Sequence, residues 1–343
     1  MIWKTKKKVE TPTEEEPEFT GNFETVISTG STLLDLAISG NRIRGGGLPG
    51  GVFVEAFGPS QSGKTALLCE IAGNVRRQIG ETQFHDPEAR LDAEFGKMFG
   101  MKIKEEDYFQ PNTVTEVFKN VRAWIPPANP KKKIIHGIFA DSLAALSTDM
   151  EMENDEGDPF GGRRAKEFSE QLRKTCRIIK QKNYLMVCSN QIRMNIGGGT
   201  YAPKYSTPGG EAIKFYASIR LKFNNPNKVY KTVKVAGKEV KKVIGIETEI
   251  EVVKTVDAPY RKADVMILYN YGFDNVRQNL QYIKDFTKNT TYMLGERVLS
   301  NSMEDAIKII EDSNAENDLR EEVINLWEEI EEKFVQERKQ KVR

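Results

Sequence analysis

Residues 58–65 read Gly58-Pro59-Ser60-Gln61-Ser62-Gly63-Lys64-Thr65, and they fit the pattern G-x-x-x-x-G-K-[ST]. The apolar run Val52–Phe57 before them predicts a buried strand. The helical pattern Ala66–Ile79 after them, which stops at Gly80, predicts a helix. A strand, a glycine-rich loop and a helix in this order favour phosphate binding, because the loop amides and the helix N-terminus present partial positive charge. The sequence therefore predicts a phosphate-binding loop for a nucleoside triphosphate.

Each residue of this loop has a predicted place in binding ATP and Mg²⁺. Gly58 and Gly63 let the backbone turn tightly around phosphate. Lys64 is predicted to reach the β- and γ-phosphates, and Thr65 to hold Mg²⁺. The residues between the two glycines complete the predicted nucleotide contacts: Pro59, Ser60, Gln61 and Ser62.

Acidic residues follow two other predicted strands. Asp141 stands where the apolar run Ile134–Ala140 stops, and we predict that it orders Mg²⁺ or its waters. Phe84 is followed by Asp86 and Glu88, and hydrolysis needs one carboxylate to polarise the attacking water. The spacing alone leaves both candidates open. The two histidines, His85 and His136, are predicted to be structural.

Short apolar runs alternate with helical patterns through most of the chain, which favours an α/β fold with a mainly parallel central sheet. A run of late strands predicts an antiparallel extension, and the lysine-rich stretch 228–242 predicts a hairpin. Residues 1–25 form a predicted N-terminal arm, 26–272 a core and 273–343 a small helical domain that includes a cap at Ser302. Further strands are predicted at Tyr184–Ser189, Ala217–Phe223, Ile246–Val253 and Val265–Tyr269.

Composition narrows the class of protein. The 343 residues carry a net charge of +1, so any surface for nucleic acid must be local. No apolar run approaches the roughly 18 residues of a membrane-spanning helix, and no signal peptide is evident. Three widely spaced cysteines, Cys69, Cys176 and Cys188, predict free thiols, and with two histidines they offer no zinc cluster. We expect a cytoplasmic protein without a membrane partner.

Several segments together resemble the RecA recombinase family over about Val26–Leu268. They include Ile27-Ser28-Thr29-Gly30-Ser31, the loop 58–65, Phe84–Asp92, Asn190-Gln191-Ile192-Arg193-Met194 and Gly209–Ser218. The resemblance implies a RecA-like ATPase core with two DNA-binding loops. It selects Glu88 rather than Asp86 to activate water, and it implies that Asp92 and Phe95 meet the adenine.

The resemblance also assigns residues outside the nucleotide site. It implies that Gln191 senses the γ-phosphate and that Lys214 and Phe215 lie at the interface between subunits. Lys254 matches a lysine that reaches the neighbour's ATP. The family usually has a second lysine two positions later, where this chain has Val256. The long N-terminal helix of bacterial members is not evident in residues 1–25, and these altered ends suggest a bacteriophage or divergent bacterial member.

Two long Gly- and Pro-containing stretches become the predicted DNA-binding loops, loop one at about 153–164 and loop two at about 194–210. Basic residues in or beside them would contact phosphates without reading sequence, and Tyr201 and Tyr205 are predicted to stack on bases. By resemblance, Lys166 and Arg173 match DNA-contacting positions. The complete predicted set is Arg163, Arg164, Lys166, Arg173, Arg193, Tyr201 and Lys204.

These features predict an ATP-dependent recombinase that forms a helical filament on single-stranded DNA and exchanges that strand into a homologous duplex. A single-strand-binding or loader protein is a possible further partner. Two rivals share the same core: a ring-shaped helicase, which would be expected to offer an arginine finger, and a mediator or strand-coating protein with little turnover. Neither the filament geometry nor any co-protease activity can be read from the sequence.

Overall fold

A computed structural model describes residues 24–127, 133–153, 162–194, 205–335 and 338. Its strands are β1 (Val26–Ile27), β2 (Leu48–Pro49), β3 (Val52–Gly58), β4 (Thr82–His85), β5 (Tyr108–Phe109), β6 (His136–Ala140), β7 (Tyr184–Gln191), β8 (Arg193–Met194), β9 (Tyr205–Ser206), β10 (Ile219–Phe223), β11 (Asn227–Val235), β12 (Lys238–Lys254), β13 (Lys262–Leu268), β14 (Gly272–Phe273), β15 (Tyr292–Leu294) and β16 (Arg297–Ser300).

The helices alternate with these strands in the first two thirds of the chain. They are α1 (Thr32–Ser39), α2 (Lys64–Arg77), α3 (Ala93–Met98), α4 (Val114–Ala123), α5 (Asp149–Glu153), α6 (Gly162–Gln181), α7 (Gly210–Tyr216), α8 (Asn275–Phe286), α9 (Met303–Asp312) and α10 (Glu316–Glu332). None of the helices in the described part of the chain combines the length and apolar character needed to cross a bilayer.

A ten-stranded sheet organises the described core in the order β14-β13-β12-β10-β3-β7-β6-β4-β5, with β11 paired to β12. The strands from β10 to β5 in this order are parallel, whereas β11 to β14 pair antiparallel. The prediction of a mainly parallel sheet with an antiparallel extension is confirmed. The parallel strands consequently end at one edge, where polar residues from separate parts of the chain meet.

Helices cover both faces of this sheet, which explains why its central strands are apolar on both sides. One hydrophobic cluster packs α1 and α2 against one face, and a second packs α4, α6 and α7 against the other. All seven residues of β3 are buried, including Glu55. The loop 58–65 therefore follows a fully buried strand, which fixes the position of the loop and of the first turn of α2.

A third cluster joins α8, α9 and α10, with Leu36 of α1 packed among them. Ser302 caps α9 by accepting a hydrogen bond from the Asp305 amide, as its sequence pattern predicts. The C-terminal part also contains a β-hairpin, β15–β16, that the helical pattern did not predict. Turn residues Gly295 and Glu296 between short strands are a weak signal that we missed.

The predicted hairpin at 228–242 is confirmed, and it is longer than the sequence pattern indicated. Strand β12 runs over 17 residues, because its first half pairs with β11 and its second half joins the central sheet. Ala236 and Gly237 form the turn, both with positive φ, which suits a two-residue hairpin loop.

Candidate functional site

The phosphate-binding loop connects β3 to α2 in the conformation that its glycines allow. Gly63 is the N-cap of α2 with φ of 97°, a left-handed conformation that disfavours side chains. A Cβ atom at Gly63 would lie 2.4 Å from Cδ1 of Ile267, so the position excludes one for packing reasons as well. The backbone amides at the start of α2 therefore face an open cavity of about 610 Å³.

Lys64 lies at the base of this cavity and is buried. Its Nζ atom donates hydrogen bonds to the carbonyl oxygens of Gly58 at 3.2 Å and Pro59 at 2.5 Å. Burial lowers the pKa of Lys64, and the nearby carboxylates of Asp141 and Glu88 oppose that shift. The Lys64 ammonium group can exchange these two carbonyl oxygens for phosphate oxygens.

Thr65 and Asp141 supply oxygen ligands at one point of the cavity. The Thr65 hydroxyl donates to Oδ2 of Asp141 at 2.5 Å, and the Ser189 hydroxyl donates to Oδ1. Asp141 follows β6 and Ser189 lies on β7, so adjacent parallel strands fix the carboxylate. Hydroxyl and carboxylate oxygens are the donors that Mg²⁺ prefers, and these residues fit the predicted metal.

The two acids that the sequence left open have different surroundings. Asp86 is buried, and its Oδ2 accepts hydrogen bonds from the Leu91 amide at 2.7 Å and the Tyr108 hydroxyl at 2.8 Å. Its carboxylate therefore holds the turn that follows β4. Glu88 instead lines the cavity beside Thr65 and Asp141, and the Ser142 hydroxyl lies 3.4 Å from its Oε1. The geometry favours Glu88 as the carboxylate that faces the nucleotide.

Arg90 is a cavity residue that the sequence analysis missed. Its Nη1 atom lies 2.6 Å from Oε2 of Glu88, and its side chain is 79% exposed. A single arginine in a loop carries no pattern that would have identified it. The turn after β4 directs residues 88 and 90 to the same cavity.

The far wall of the cavity is apolar and comes from α3 and the antiparallel strands. Tyr269, about half exposed, is a second residue that the sequence analysis missed. Phe95, which the resemblance assigns to the adenine, is in this wall, and a flat ring among apolar side chains suits a purine base. The other members are Met98, Phe99, Ile246, Ile267 and Leu268.

Asp92 takes a different position from the one that the resemblance implied. It is the N-cap of α3, and its side chain accepts hydrogen bonds from the amides of Glu94 and Phe95 at 3.3 Å each. It lines a neighbouring cavity of about 730 Å³ instead of the one at the phosphate-binding loop. The Asp before Ala93 and Glu94 is a helix-capping pattern that the sequence already carried.

Gln191 is the last residue of β7, and it lies beside Gly58 in the parallel register. It lines the cavity, so it is within the same space as the phosphate-binding loop. The preceding residue, Asn190, is buried and donates to Glu55 Oε1 at 2.9 Å and to the Pro208 carbonyl at 3.0 Å. Arg220 completes this buried network through Nε, 2.6 Å from Glu55 Oε2.

Loop two therefore begins and ends on the network beside the nucleotide cavity. Its stem is a short antiparallel pair in which Arg193 faces Ser206 and Met194 faces Tyr205. The Tyr205 ring lies 5.5 Å from the Lys222 ammonium, a cation–π contact. Tyr201 and Lys204 lie outside the described residues, as does the side chain of Arg193.

The boundaries predicted for loop one are wrong. Glu153 is the last residue of α5, and α6 already begins at Gly162, so Arg163 and Arg164 belong to a helix. Pro159 and the pair Gly161-Gly162 are typical of a loop, so the sequence pattern did not indicate this start of α6. Arg164 pairs with Glu151 at 3.4 Å. Lys166 and Arg173, seven positions apart on α6, are both exposed and lie on one side of the helix.

Lys254 lies away from its own subunit's cavity. Its Nζ atom donates to the carbonyl oxygens of Lys214 at 2.9 Å and Phe215 at 3.0 Å, the end of α7. Burial and the neighbouring Arg220 lower the pKa of Lys254. Phe215 is 76% exposed, unusual for an aromatic side chain. The structure thus brings together the three residues assigned to contacts between subunits.

A phosphate-binding loop, an acid that ends a neighbouring strand and a glutamate facing the same cavity define a P-loop nucleoside triphosphatase. The model of the RecA N-terminal domain family matches residues 18–274. This match covers most of the chain, and the protein belongs to the RecA family. Membership supports a recombinase-type ATPase, which agrees with the resemblance seen in the sequence.

Proposed function

We propose that the protein is an ATP-dependent recombinase that forms a filament on single-stranded DNA and promotes homologous pairing and strand exchange. One observation carries the proposal: Gln191 lines the nucleotide cavity, and Asn190 next to it donates a hydrogen bond to the Pro208 carbonyl near the end of loop two. A change at the terminal phosphate that moves Gln191 therefore acts on the strand and loop that family membership associates with DNA. A recombinase needs this link, because the binding of ATP must control its affinity for DNA.

Hydrolysis follows from the residues around the cavity. Lys64 and the loop amides bind the β- and γ-phosphates, and Thr65 and Asp141 hold Mg²⁺, which neutralises phosphate charge when bound. Glu88 accepts a proton as the water oxygen bonds to the γ-phosphorus. The bond to the bridging oxygen breaks with its electron pair leaving on ADP, and phosphate is released. Hydrolysis resets DNA binding and leaves the covalent structure of the DNA unchanged.

The surface at the end of α7 supports the same proposal. Phe215 is an exposed anchor, and Lys254 and Lys214 lie next to it at the end of α7. We expect this surface to contact the nucleotide-bearing edge of a neighbouring subunit, so that ATP lies between subunits and stabilises the filament. Contacts of this head-to-tail kind generate helical filaments when the rotation does not close.

DNA binding would be shared between loop two and α6. Lys166 and Arg173 present two cations on the exposed side of that helix, and phosphate contacts from such residues bind any sequence. Base pairing then selects the homologous duplex, so the protein has no need to read bases. An extended strand and a homologous duplex are the expected partners.

A joint-molecule assay tests the proposal. Wild type and Lys64→Ala are mixed with ATP, single-stranded DNA and either a homologous or a heterologous duplex, and the same mixtures are imaged by electron microscopy. We expect filaments and joints only with wild type and the homologous duplex. Rings without joints would indicate a helicase instead, and an ATPase rate that single-stranded DNA does not raise would indicate a coating protein.

A further inference from the structure

The charges that line the nucleotide cavity point to one further residue of the ATPase site. Its charged lining residues, within the described part of the chain, are Lys64, Glu88, Arg90 and Asp141. Arg90 thus supplies half of the positive charge. Without it, Lys64 would be the single cationic side chain among these described lining residues, and the remaining positive charge would come from Mg²⁺ and the loop amides. A second cationic side chain suits a phosphoryl-transfer site, since charge on the phosphate oxygens must be stabilised.

We propose that Arg90 contacts the terminal phosphate of the nucleotide bound by its own subunit and stabilises the charge on it during hydrolysis. This inference rests on the proposed ATPase function and extends it to a residue in the same subunit. The guanidinium is planar and presents paired N–H donors, the geometry that suits two phosphate oxygens.

Hydrogen bonds on both sides of Arg90 fix its backbone, whereas its side chain is exposed and paired with Glu88. Asp86 holds the turn through the Leu91 amide, at 2.7 Å, and its own carbonyl accepts from the Ala89 amide at 3.1 Å. Ala89 has a φ of 53°, which reverses the chain between Glu88 and Arg90. A rigid turn with a long cationic side chain at the mouth of the cavity can reach the terminal phosphate without refolding.

The ion pair between Arg90 and Glu88 gives the position of the guanidinium in this structure. The two charged groups are 2.6 Å apart, but the arginine is 79% exposed, so solvent weakens the pair. A triphosphate carries several negative charges and outcompetes one carboxylate for the guanidinium. When Arg90 transfers to the γ-phosphate oxygens, Glu88 becomes free to accept the proton of the attacking water.

The cavity beneath the pair supports this arrangement. A small cavity of about 90 Å³ lies between Thr65, Glu88, Arg90 and Asp141, and it also touches Asp86. A space of that size holds water among several polar partners. Arg90 therefore borders both the phosphate cavity and the space next to the carboxylate that would activate water.

The test compares Arg90→Ala and Arg90→Lys with Arg77→Ala, in the full-length protein. Arg77 is a matched control, because its side chain is also exposed and paired with a glutamate, Glu70 at 3.6 Å, but lies outside the cavity. With saturating single-stranded DNA, we expect Arg90→Ala to lower kcat by about 100-fold, Arg90→Lys to recover part of the rate, and Arg77→Ala to match wild type. Added guanidinium ion should partly rescue Arg90→Ala and not Lys64→Ala.

Nucleotide binding provides a second readout that needs no turnover. Arg90→Ala should weaken binding of a non-hydrolysable ATP analogue by about 10-fold or more while the affinity for ADP stays within about twofold, since only the analogue carries the γ-phosphate. A higher ATPase rate in Arg90→Ala would show that Arg90 merely restrains Glu88, and would overturn the proposal. So would equal effects on the analogue and on ADP. Failure of the proposed function is separate: wild type would then hydrolyse ATP without forming joints.

Discussion

The Thr65 hydroxyl donates a hydrogen bond to Asp141, whose Oδ2 lies 2.5 Å away, and so connects the first turn of α2 to the end of β6. These residues are 76 positions apart in the chain. The parallel sheet brings them together, because β3 and β6 both end at the carboxyl edge with β7 between them. Ser189 on β7 donates to the other oxygen of the same carboxylate. The proposed metal position is thus formed at the ends of three neighbouring strands.

Graded loss of activity should follow from this arrangement. Asp141→Asn removes a charged metal ligand, and we expect kcat to fall by about 100-fold or more. Ser189→Ala only loosens the carboxylate, so about 10-fold is expected. Steady-state ATPase rates across a Mg²⁺ titration measure both, and raised Mg²⁺ should restore Ser189→Ala further than Asp141→Asn. Equal rates for wild type and Asp141→Asn would contradict the assignment.

Phe215→Ala should weaken assembly of subunits. A buried aromatic anchor at an interface contributes about 2 kcal/mol or more, which corresponds to roughly a 30-fold weaker contact. Light scattering and electron microscopy against protein concentration measure the shift. Phe286→Ala is the control, since that ring is also more than half exposed but belongs to α8. If both variants assemble like wild type, Phe215 is not at the interface.

Mixing two inactive variants tests whether Lys254 acts on a neighbour's nucleotide. Lys64→Ala lacks a working phosphate-binding loop but keeps Lys254, and Lys254→Ala has the reverse defect. In an equal mixture, about a quarter of the contacts pair an intact loop with an intact lysine, so ATPase activity should reappear. Each variant alone should stay low. No recovery in the mixture would place Lys254 outside the shared site.

The nucleotide site could be predicted from sequence because most of its chemistry is local. Residues 58–65 are contiguous, and the apolar strand before them and helix after them have clear periods. Asp141 could be predicted for the same reason, because it is a polar residue at the end of an apolar run. The carboxyl ends of parallel strands converge without any need for an alignment.

The other residues of the cavity could not be predicted, because tertiary contacts that no local sequence pattern indicates bring them together. Tyr269 comes from the end of β13, about two hundred positions after the loop, and only the sheet brings it to the cavity. Arg90 is one arginine in a short turn, and its meaning comes from the pair with Glu88. Asp92 is a different case, because its side chain caps α3, a position that the capping pattern in the sequence indicates and the resemblance does not.

Stability should depend on pH through Asp35. This residue is fully buried, and desolvation raises its pKa from 3.8 to about 6, although hydrogen bonds from Ser28 and Thr29 oppose the shift. The folded protein therefore binds this proton more tightly than the unfolded chain does. Protonated Asp35 therefore contributes roughly 2–3 kcal/mol to the free energy of unfolding. This contribution is fully present below about pH 4 and is lost as the pH rises through about 6.

Asp35→Asn removes this titration and isolates its effect. Urea unfolding of wild type and variant, followed from about pH 4.5 to about pH 8, gives the difference in stability. We expect the free energy of unfolding of the variant, relative to that of wild type, to increase up to about pH 7 and to stay constant above it. Asp312→Asn, at an exposed position, should show no such trend. A difference that stays constant with pH would show that Asp35 does not titrate in this range.

Gln191→Ala should separate ATP hydrolysis from DNA binding. Gln191 shares the cavity with Lys64 and Glu88, but its position at the end of β7 is next to Asn190, which is bonded to Pro208 at 3.0 Å. The variant keeps Lys64, Thr65, Glu88 and Asp141, so its basal ATPase without DNA should stay within about fivefold of wild type.

That variant lacks the amide that we propose reports the terminal phosphate to loop two. Wild type should bind single-stranded DNA at least about 10-fold more tightly with a non-hydrolysable ATP analogue than with ADP, and Gln191→Ala should bind equally with both. Fluorescence anisotropy of a labelled strand measures this ratio, with Gln281→Ala on α8, which lies outside the cavity, as the control. A variant that retains the wild-type ratio would show that the phosphate signal reaches DNA by another path, such as the contact between subunits.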